Sequence, residues 1–297
     1  ASSSRPARSR DGWRAAVARA VDSSVKRARI GERQSALSSA TPVSRRQRWA
    51  RRIRRALLIV LALAMLAMGA LTWAWQATPS VDGLATWVRA QDVAHHTTYT
   101  PMAQISPWMG KALVAIEDQR FYQHHGIDTI GLIRAAWDDL RAGQIIEGGS
   151  TLTAQLAKNA YLQDYDRTLT RKLEDLLLAV KIEQKYSKRQ ILELYLNLVY
   201  FGEGAYGVGA AAQRYFGVRA NQLDLAQSAL LAGLAQAPGY FDPWCHPEEA
   251  QDRQQVVLDH MVAQGMISPA QAQAAKREQF AFWRPGAQRP HDAYCAA

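Results

Sequence analysis

The sequence predicts a mainly α protein: one α-rich domain behind a single N-terminal transmembrane helix. Ala56 to Trp75 reads ALLIVLALAMLAMGALTWAW, twenty residues without a charge. At about 1.5 Å per residue it spans about 30 Å, the thickness of a bilayer hydrocarbon core. Beyond Ser106-Pro107, apolar positions at 112–116, 130–137, 169–182 and 191–199 recur at spacings of three and four. That is the period of amphipathic helices. Few alternating runs compete, no internal repeat occurs, and no Pro/Ser-rich linker divides residues 105–283.

Residues 1–55 come first and carry the charge. The chain has 36 Lys+Arg against 26 Asp+Glu, a formal +10 that suggests a nucleic-acid binder. The tail alone holds 16 basic and 3 acidic residues, and the other 242 residues hold 20 and 23. The remainder is slightly acidic, which argues against a broad basic face and against nucleic acid as a partner. Rich in Ser, Ala and Arg, the tail reads as disordered. It is either a solvated topology signal or an attraction for anionic head groups or a cytoplasmic partner.

The transmembrane helix is expected over 56–76. Trp73 and Trp75 sit at its outer end, and Arg51, Arg52, Arg54 and Arg55 flank the inner end, the charge and aromatic layout of a membrane span. A signal peptide would be shorter, nearer the terminus and followed by a cleavage site. A buried core helix would carry polar residues on part of its surface. The Arg-rich side stays in the cytoplasm, so the chain from about 77 onward lies outside it.

Residues 77–104 read as a mixed, partly extended entry to the domain. Further on, Ser187 with Gln190 forms a capping box opening a helix, and Ser268-Pro269 with Gln271 opens another. Cys245 and Cys295 are the only cysteines. Without a CxxC or a Cys/His cluster, a structural zinc site is not expected. One disulfide closing about 50 residues and two separate thiols are both open.

Four segments concentrate polar and charged residues inside apolar helical sequence. In AIEDQRFYQHHGID (115–128), Glu117 ends an apolar run. Such a carboxylate is partly desolvated, which raises its pKa toward the range of a general base. Asp118 and His124 are placed to form a polar network around it; an ordinary helix-end acid with surface histidines is the plainer alternative. Gly148-Gly149-Ser150-Thr151-Leu152-Thr153, with Gln155, Lys158 and Asn159 behind it, has the make-up of an anion site at a helix N-terminus. A loop with an N-cap serine has it too. In RTLTRKLEDLLLAVKIE (167–183), Arg167, Arg171 and Glu174 share one helical face, and an Arg171–Glu174 surface pair is the simple reading. The fourth segment, 187–217, holds Gly202-x-Gly204-x-x-Gly207. It follows a helix and no βαβ unit surrounds it, so a turn or close helix packing is expected there in place of a dinucleotide site.

Taken in order, EDQRFYQHHG (117–126), GGSTLTAQLAKN (148–159), RKLE (171–174) and KRQILELYLNLVYFG (188–202) resemble the peptidoglycan glycosyltransferases. This is the domain shared by class A penicillin-binding proteins and monofunctional transglycosylases. LAGLAQAPGYFDP (231–243) and VVLDHM (256–261) continue the likeness, which covers roughly residues 85–280. It implies a lysozyme-like, two-lobed domain over 77–283, a short tail at 284–297 with no transpeptidase domain, and an inverting enzyme that polymerises lipid II into β-1,4-linked glycan. Undecaprenyl pyrophosphate is the implied leaving group. The place is the outer face of a bacterial inner membrane, with the N-terminus in the cytoplasm.

By the same resemblance, Glu117 is the general base for the acceptor 4-hydroxyl, and Glu174 assists pyrophosphate departure with Lys158, Arg167 and Arg171. Ser150, Thr151, Gln155 and Asn159 shape the donor site, while Asp118 and His124 support the base. Phe121, Gly149, Lys172 and Asn197, in the same matched pieces, join the substrate contacts. No organic cofactor is implied; a divalent cation, Mg²⁺ or Mn²⁺, at the pyrophosphate is left open. The partners implied are lipid II, the growing glycan and the membrane, with a transpeptidase or division and elongation proteins as further candidates. Two positions depart from the family pattern: Ala154 replaces the first of two glutamines, and Val218 replaces a lysine. A lysozyme-like peptidoglycan hydrolase and a catalytically weak membrane scaffold are the rival functions.

Overall fold

The computed structural model describes residues 10–38, 45–95, 97–142, 149–161, 168–280 and 282. It divides into two units, residues 1–71 and 72–297. The first holds α1 (Arg10–Ser38) and most of α2 (Arg45–Ala77). The expectation of a tail without order does not hold over Arg10–Ser38. Alanine and arginine are strong helix formers, and Asp22 and Lys26 pair at i, i+4 across 3.1 Å. The side chains described along α1 are exposed. α2 is long and apolar enough to cross a membrane from Arg48 to Ala77, and its apolar window is not buried by any other part of the chain.

The second unit is helical throughout, and no strand forms among its described residues. α3 (Leu84–Ala94) replaces part of the extended entry expected before residue 104. Its Leu84 and Val88, one turn apart, are fully buried, so an apolar stripe overrides the mixed composition. Next come α4 (Pro107–Glu117), α5 (Thr129–Ala142), α6 (Leu152–Tyr161), α7 (Leu169–Lys185) and α8 (Lys188–Leu198). α9 (Gly207–Phe216), α10 (Leu225–Leu234), α11 (Pro247–Ala263) and α12 (Pro269–Lys276) complete the order.

Both expected capping boxes form, at Ser187–Gln190 and Ser268–Gln271. A third opens α10 at Asp224–Gln227. The Gly202–Gly207 segment is a turn: Gly202, Glu203, Gly204 and Gly207 all take positive φ, and Tyr200 and Tyr206 form an isolated bridge across it. Two groups of helices make the core. α4 packs on α10 and α11, while α6 packs on α7 and α8. α10 is buried along most of its length; each fully buried leucine contributes about 1.5–3 kcal/mol. Cys245 is disulfide-bonded, and the one other cysteine, Cys295, lies outside the described residues.

One close approach fixes the loop between α4 and α5. Gly126 has φ +90°, and a Cβ there would lie 2.9 Å from the backbone carbonyl of Ala179 on α7. Backbone cannot retreat as a flexible side chain does, and the φ itself disfavours any other residue. Gly126→Ala is expected to destabilise the fold by about 2 kcal/mol or more, read from urea denaturation. An unchanged midpoint would show that this contact gives way without cost.

Candidate active site

The site starts where α4 stops. Asp118 leaves helical geometry at φ −153°, ψ 76°, so Glu117 is the last helical side chain. The Asp118 carboxylate is buried and triply engaged. Leu152 N–H, the first of α6, donates to Oδ2 at 3.0 Å, and His124 Nε2 lies 3.0 Å from both oxygens. A negative charge on the unpaired N–H groups of a helix start is stabilising. Thr151 secures the same helix start: its Oγ1 accepts from Ala154 N at 3.1 Å and donates to Gly126 O at 2.8 Å. The end of α4 and the beginning of α6 are thereby locked together.

That junction brings Gln155, one turn into α6, against Glu117. Gln155 Nε2 donates to Glu117 Oε2 at 2.7 Å. Burial, with the Asp118 charge adding to it, holds the Glu117 carboxyl above the ordinary glutamate range; the Gln155 bond and the Arg253 cation on α11 oppose the rise. Behind them, the Tyr195 hydroxyl on α8 donates to Gln155 Oε1 at 2.8 Å. At the position of the missing first glutamine, Ala154 is buried in the core, and Gln155 reaches Glu117.

The cations gather on α6 and α7. Lys158 and Asn159 are exposed near the end of α6. On α7, Arg171 Nη1 lies 3.7 Å from Glu174 Oε2, and half of the Glu174 side chain is exposed. Asp175 is held above its usual pKa by burial, against the pull of Lys172, Arg171 and Lys158. All three cations therefore act on one carboxylate. Gly149 and Ser150 stand at the entrance to α6, lining a small pocket with Lys172 and Asp175.

Several of the expected site residues are enclosed by the fold. Phe121 is fully buried, with the Lys188 ammonium 4.4 Å above its ring. Asp118, His124 and Thr151 are buried within the α4–α6 junction, where they frame the site next to Glu117. Asn197 is tied to backbone on both sides. Its Oδ1 accepts from Thr100 N at 2.7 Å, while Nδ2 donates to the Thr100 and Glu193 carbonyls. The side chain clamps backbone, and satisfied buried amides are part of the fold. Arg167 lies outside the described residues. The sequence reading missed Tyr195 and Arg253. Arg253 lies three residues before the matched VVLDHM piece and could have been found there; Tyr195 reads only as one more apolar-face residue of α8.

Among the described residues, no three His, Cys, Asp or Glu side chains come together as a metal site. A divalent cation at a bound pyrophosphate would take most of its ligands from phosphate and water oxygens.

A partly buried carboxylate at the α4–α6 junction and a group of cations on α6 and α7 are the parts that base-assisted transfer from an anionic leaving group requires. Comparison with known proteins gives the family. The transglycosylase family model matches residues 85–262. A Cupriavidus necator protein bearing a transglycosylase name is 42% identical over 230 residues, covering 77% of this chain and 96% of that protein. Penicillin-binding protein 1A of Aquifex aeolicus is 48% identical over 60% of this chain, and that of Escherichia coli is 48% identical over 59%. The chain spans 24% and 20% of the length of those two proteins. The chain belongs to the transglycosylase family. It is by class a peptidoglycan glycosyltransferase of cell-wall synthesis, with one helix, α2, long and apolar enough to cross a membrane.

Proposed function

We propose that the chain polymerises lipid II into β-1,4-linked glycan strands and releases undecaprenyl pyrophosphate. The place proposed is the outer face of the bacterial inner membrane, with α2 as a single anchor and the N-terminus in the cytoplasm. The observation that carries this reading is Glu117: a partly buried carboxylate, raised in pKa and held by one amide, on the same framework as exposed cations of α6 and α7. A sugar on a pyrophosphate already has a good leaving group. The site must therefore orient two substrates, accept one proton and stabilise departing negative charge. Glu117 takes the proton of the acceptor 4-hydroxyl as that oxygen attacks the donor C1. Attack opposite an α-linked pyrophosphate gives the β-linkage. Lys158, Arg171 and Lys172 stabilise the pyrophosphate, and Glu174, paired with Arg171, orients that guanidinium.

Fluorescent lipid II incubated with the purified chain should yield a ladder of glycan products on a gel. Release of fragments from finished sacculi, with no ladder, would replace polymerisation by hydrolysis. An unchanged substrate would leave the scaffold reading.

A lipid-linked substrate needs an apolar approach. α5 presents Ile130, Ile133 and Trp137 at exposures of 55%, 71% and 54%, three positions within two turns of one helix. Ile133→Ser with Trp137→Ser is expected to lower kcat/KM roughly tenfold for a long-tailed donor, the loss of about 1–2 kcal/mol of apolar contact. A short-tailed donor should lose far less. Equal losses for both donors would take the lipid away from this face.

A further inference from the structure

We propose that Tyr195 is a positioning residue for the base: its hydroxyl holds the Gln155 amide whose Nε2 faces Glu117. The proposal rests on the reading of Glu117 as the base and adds a control that nothing in the family match assigns. Tyr195 is almost completely buried on α8, and its O–H donates to Gln155 Oε1 at 2.8 Å. From the other end of the same amide, Nε2 donates to Glu117 Oε2 at 2.7 Å. The three side chains come from α8, α6 and α4 and form one directed chain of donors.

The direction is the point. A carboxamide has nearly the same shape either way round, but one end donates and the other only accepts. Turned over, it would set a carbonyl oxygen against the Glu117 carboxylate. The acceptor-only carboxylate disfavours that sense, and a hydroxyl donating to Oε1 holds the amide in the other one. Burial, and the charge on Glu117, push the Tyr195 phenol well above its ordinary pKa, so it remains a donor throughout the working pH range. The other charged groups acting on Glu117 are Asp118, next to it in the chain, and Arg253 on α11. α10, also packed on α4, carries no titratable side chain. Gln155 is thus the hydrogen-bond donor to this carboxylate among the described residues, and Tyr195 orients it.

Phenylalanine at 195 keeps the ring and removes the hydrogen bond. Gln155 Oε1 is then left without its partner, and the amide is held less firmly against Glu117. With the Nε2 bond weakened, ionised Glu117 is less favoured and its pKa rises further. The acid limb of kcat/KM against pH, measured on the full chain with lipid II, should move upward by about one pH unit. KM should hardly change. Gln155→Leu should shift the limb at least as far, and adding Tyr195→Phe to it should shift it no further, because both changes break one chain. Replacing Tyr195 by 3-fluorotyrosine, a stronger donor of nearly the same shape, should move the limb the opposite way.

An unshifted limb in Tyr195→Phe, or shifts that add in the double variant, would overturn the proposal. If Tyr195→Phe does not fold, the fluorotyrosine chain decides: an unmoved limb or a shift in the same upward direction rejects it. Glu117→Gln run in parallel separates the two levels. Full turnover in that variant removes Glu117 as the base, whereas an inactive Glu117→Gln beside an unshifted Tyr195→Phe rejects only the positioning role.

Discussion

Glu117→Gln is expected to lower turnover by about 10²-fold or more while leaving the folded chain at least as stable. Gln keeps the length and one oxygen of Glu117, so the shape of the α4–α6 junction is retained, but it accepts no proton. The pH dependence has a fixed sign. Burial raises the Glu117 pKa, and a base must be ionised, so wild-type activity falls as pH drops through a value above the usual glutamate range. The same shift means that ionising Glu117 costs folding stability. That stability is fully present below the unfolded-state pKa and declines as pH rises through the folded one. At neutral pH the Gln variant should therefore melt no lower than wild type. Lipid II turnover and melting temperature, measured together from pH 5 to 9, check both halves. Near-normal glycan yield from Glu117→Gln would reject the base assignment.

Lys158→Ala gives the second large effect, and in the opposite structural setting. The lysine is exposed near the end of α6, where surface substitutions change stability by under about 0.5 kcal/mol. If it instead meets charge developing on the departing pyrophosphate, its loss costs about 2–4 kcal/mol of transition-state stabilisation, roughly 30- to 1000-fold in kcat/KM. A substrate's arrival dehydrates the lysine, so the free structure does not show its worth. Activity lost only in step with melting temperature would mean that Lys158 merely solvates its helix, and the pyrophosphate assignment would go with it.

The sequence was legible wherever local chemistry decides the outcome. Capping boxes at Ser187 and Ser268 need only a hydroxyl and a glutamine three residues apart, and both formed where expected. The partial burial of Glu117 was legible for a similar reason, since a carboxylate ending a fully apolar run has few solvated places to go. The roles of the neighbouring residues were not legible. Motif membership does not say which side of a junction a side chain faces. Asn197, Phe121 and Thr151 sit in the matched segments and are nonetheless spent on backbone or core. Tyr195 was hidden by the reverse effect: its partners lie 40 and 78 positions away, on α6 and α4, and α8 periodicity alone makes it one more buried ring. The tail failed differently. Composition argued for disorder, but alanine and arginine also favour helix, and α1 followed propensity.

Lys181 gives α7 a second purpose. Its ammonium donates to the carbonyls of Trp75 and Thr78 at 2.7 and 2.8 Å and lies 5.0 Å over the Trp75 ring. The salt bridge from Lys185 to Asp82 and the Tyr186 hydroxyl on Val81 O fasten the next stretch of chain to the same end of α7. Seven residues back along the helix stands Glu174, about 10 Å away at the rise of an α-helix. α7 thus works as a ruler. One end grips the residues where the chain leaves its apolar span, and the other carries Arg171 and Glu174 at a distance that no loop can alter. Inserting a full turn of helix between those ends would test the spacing without touching a single charged group.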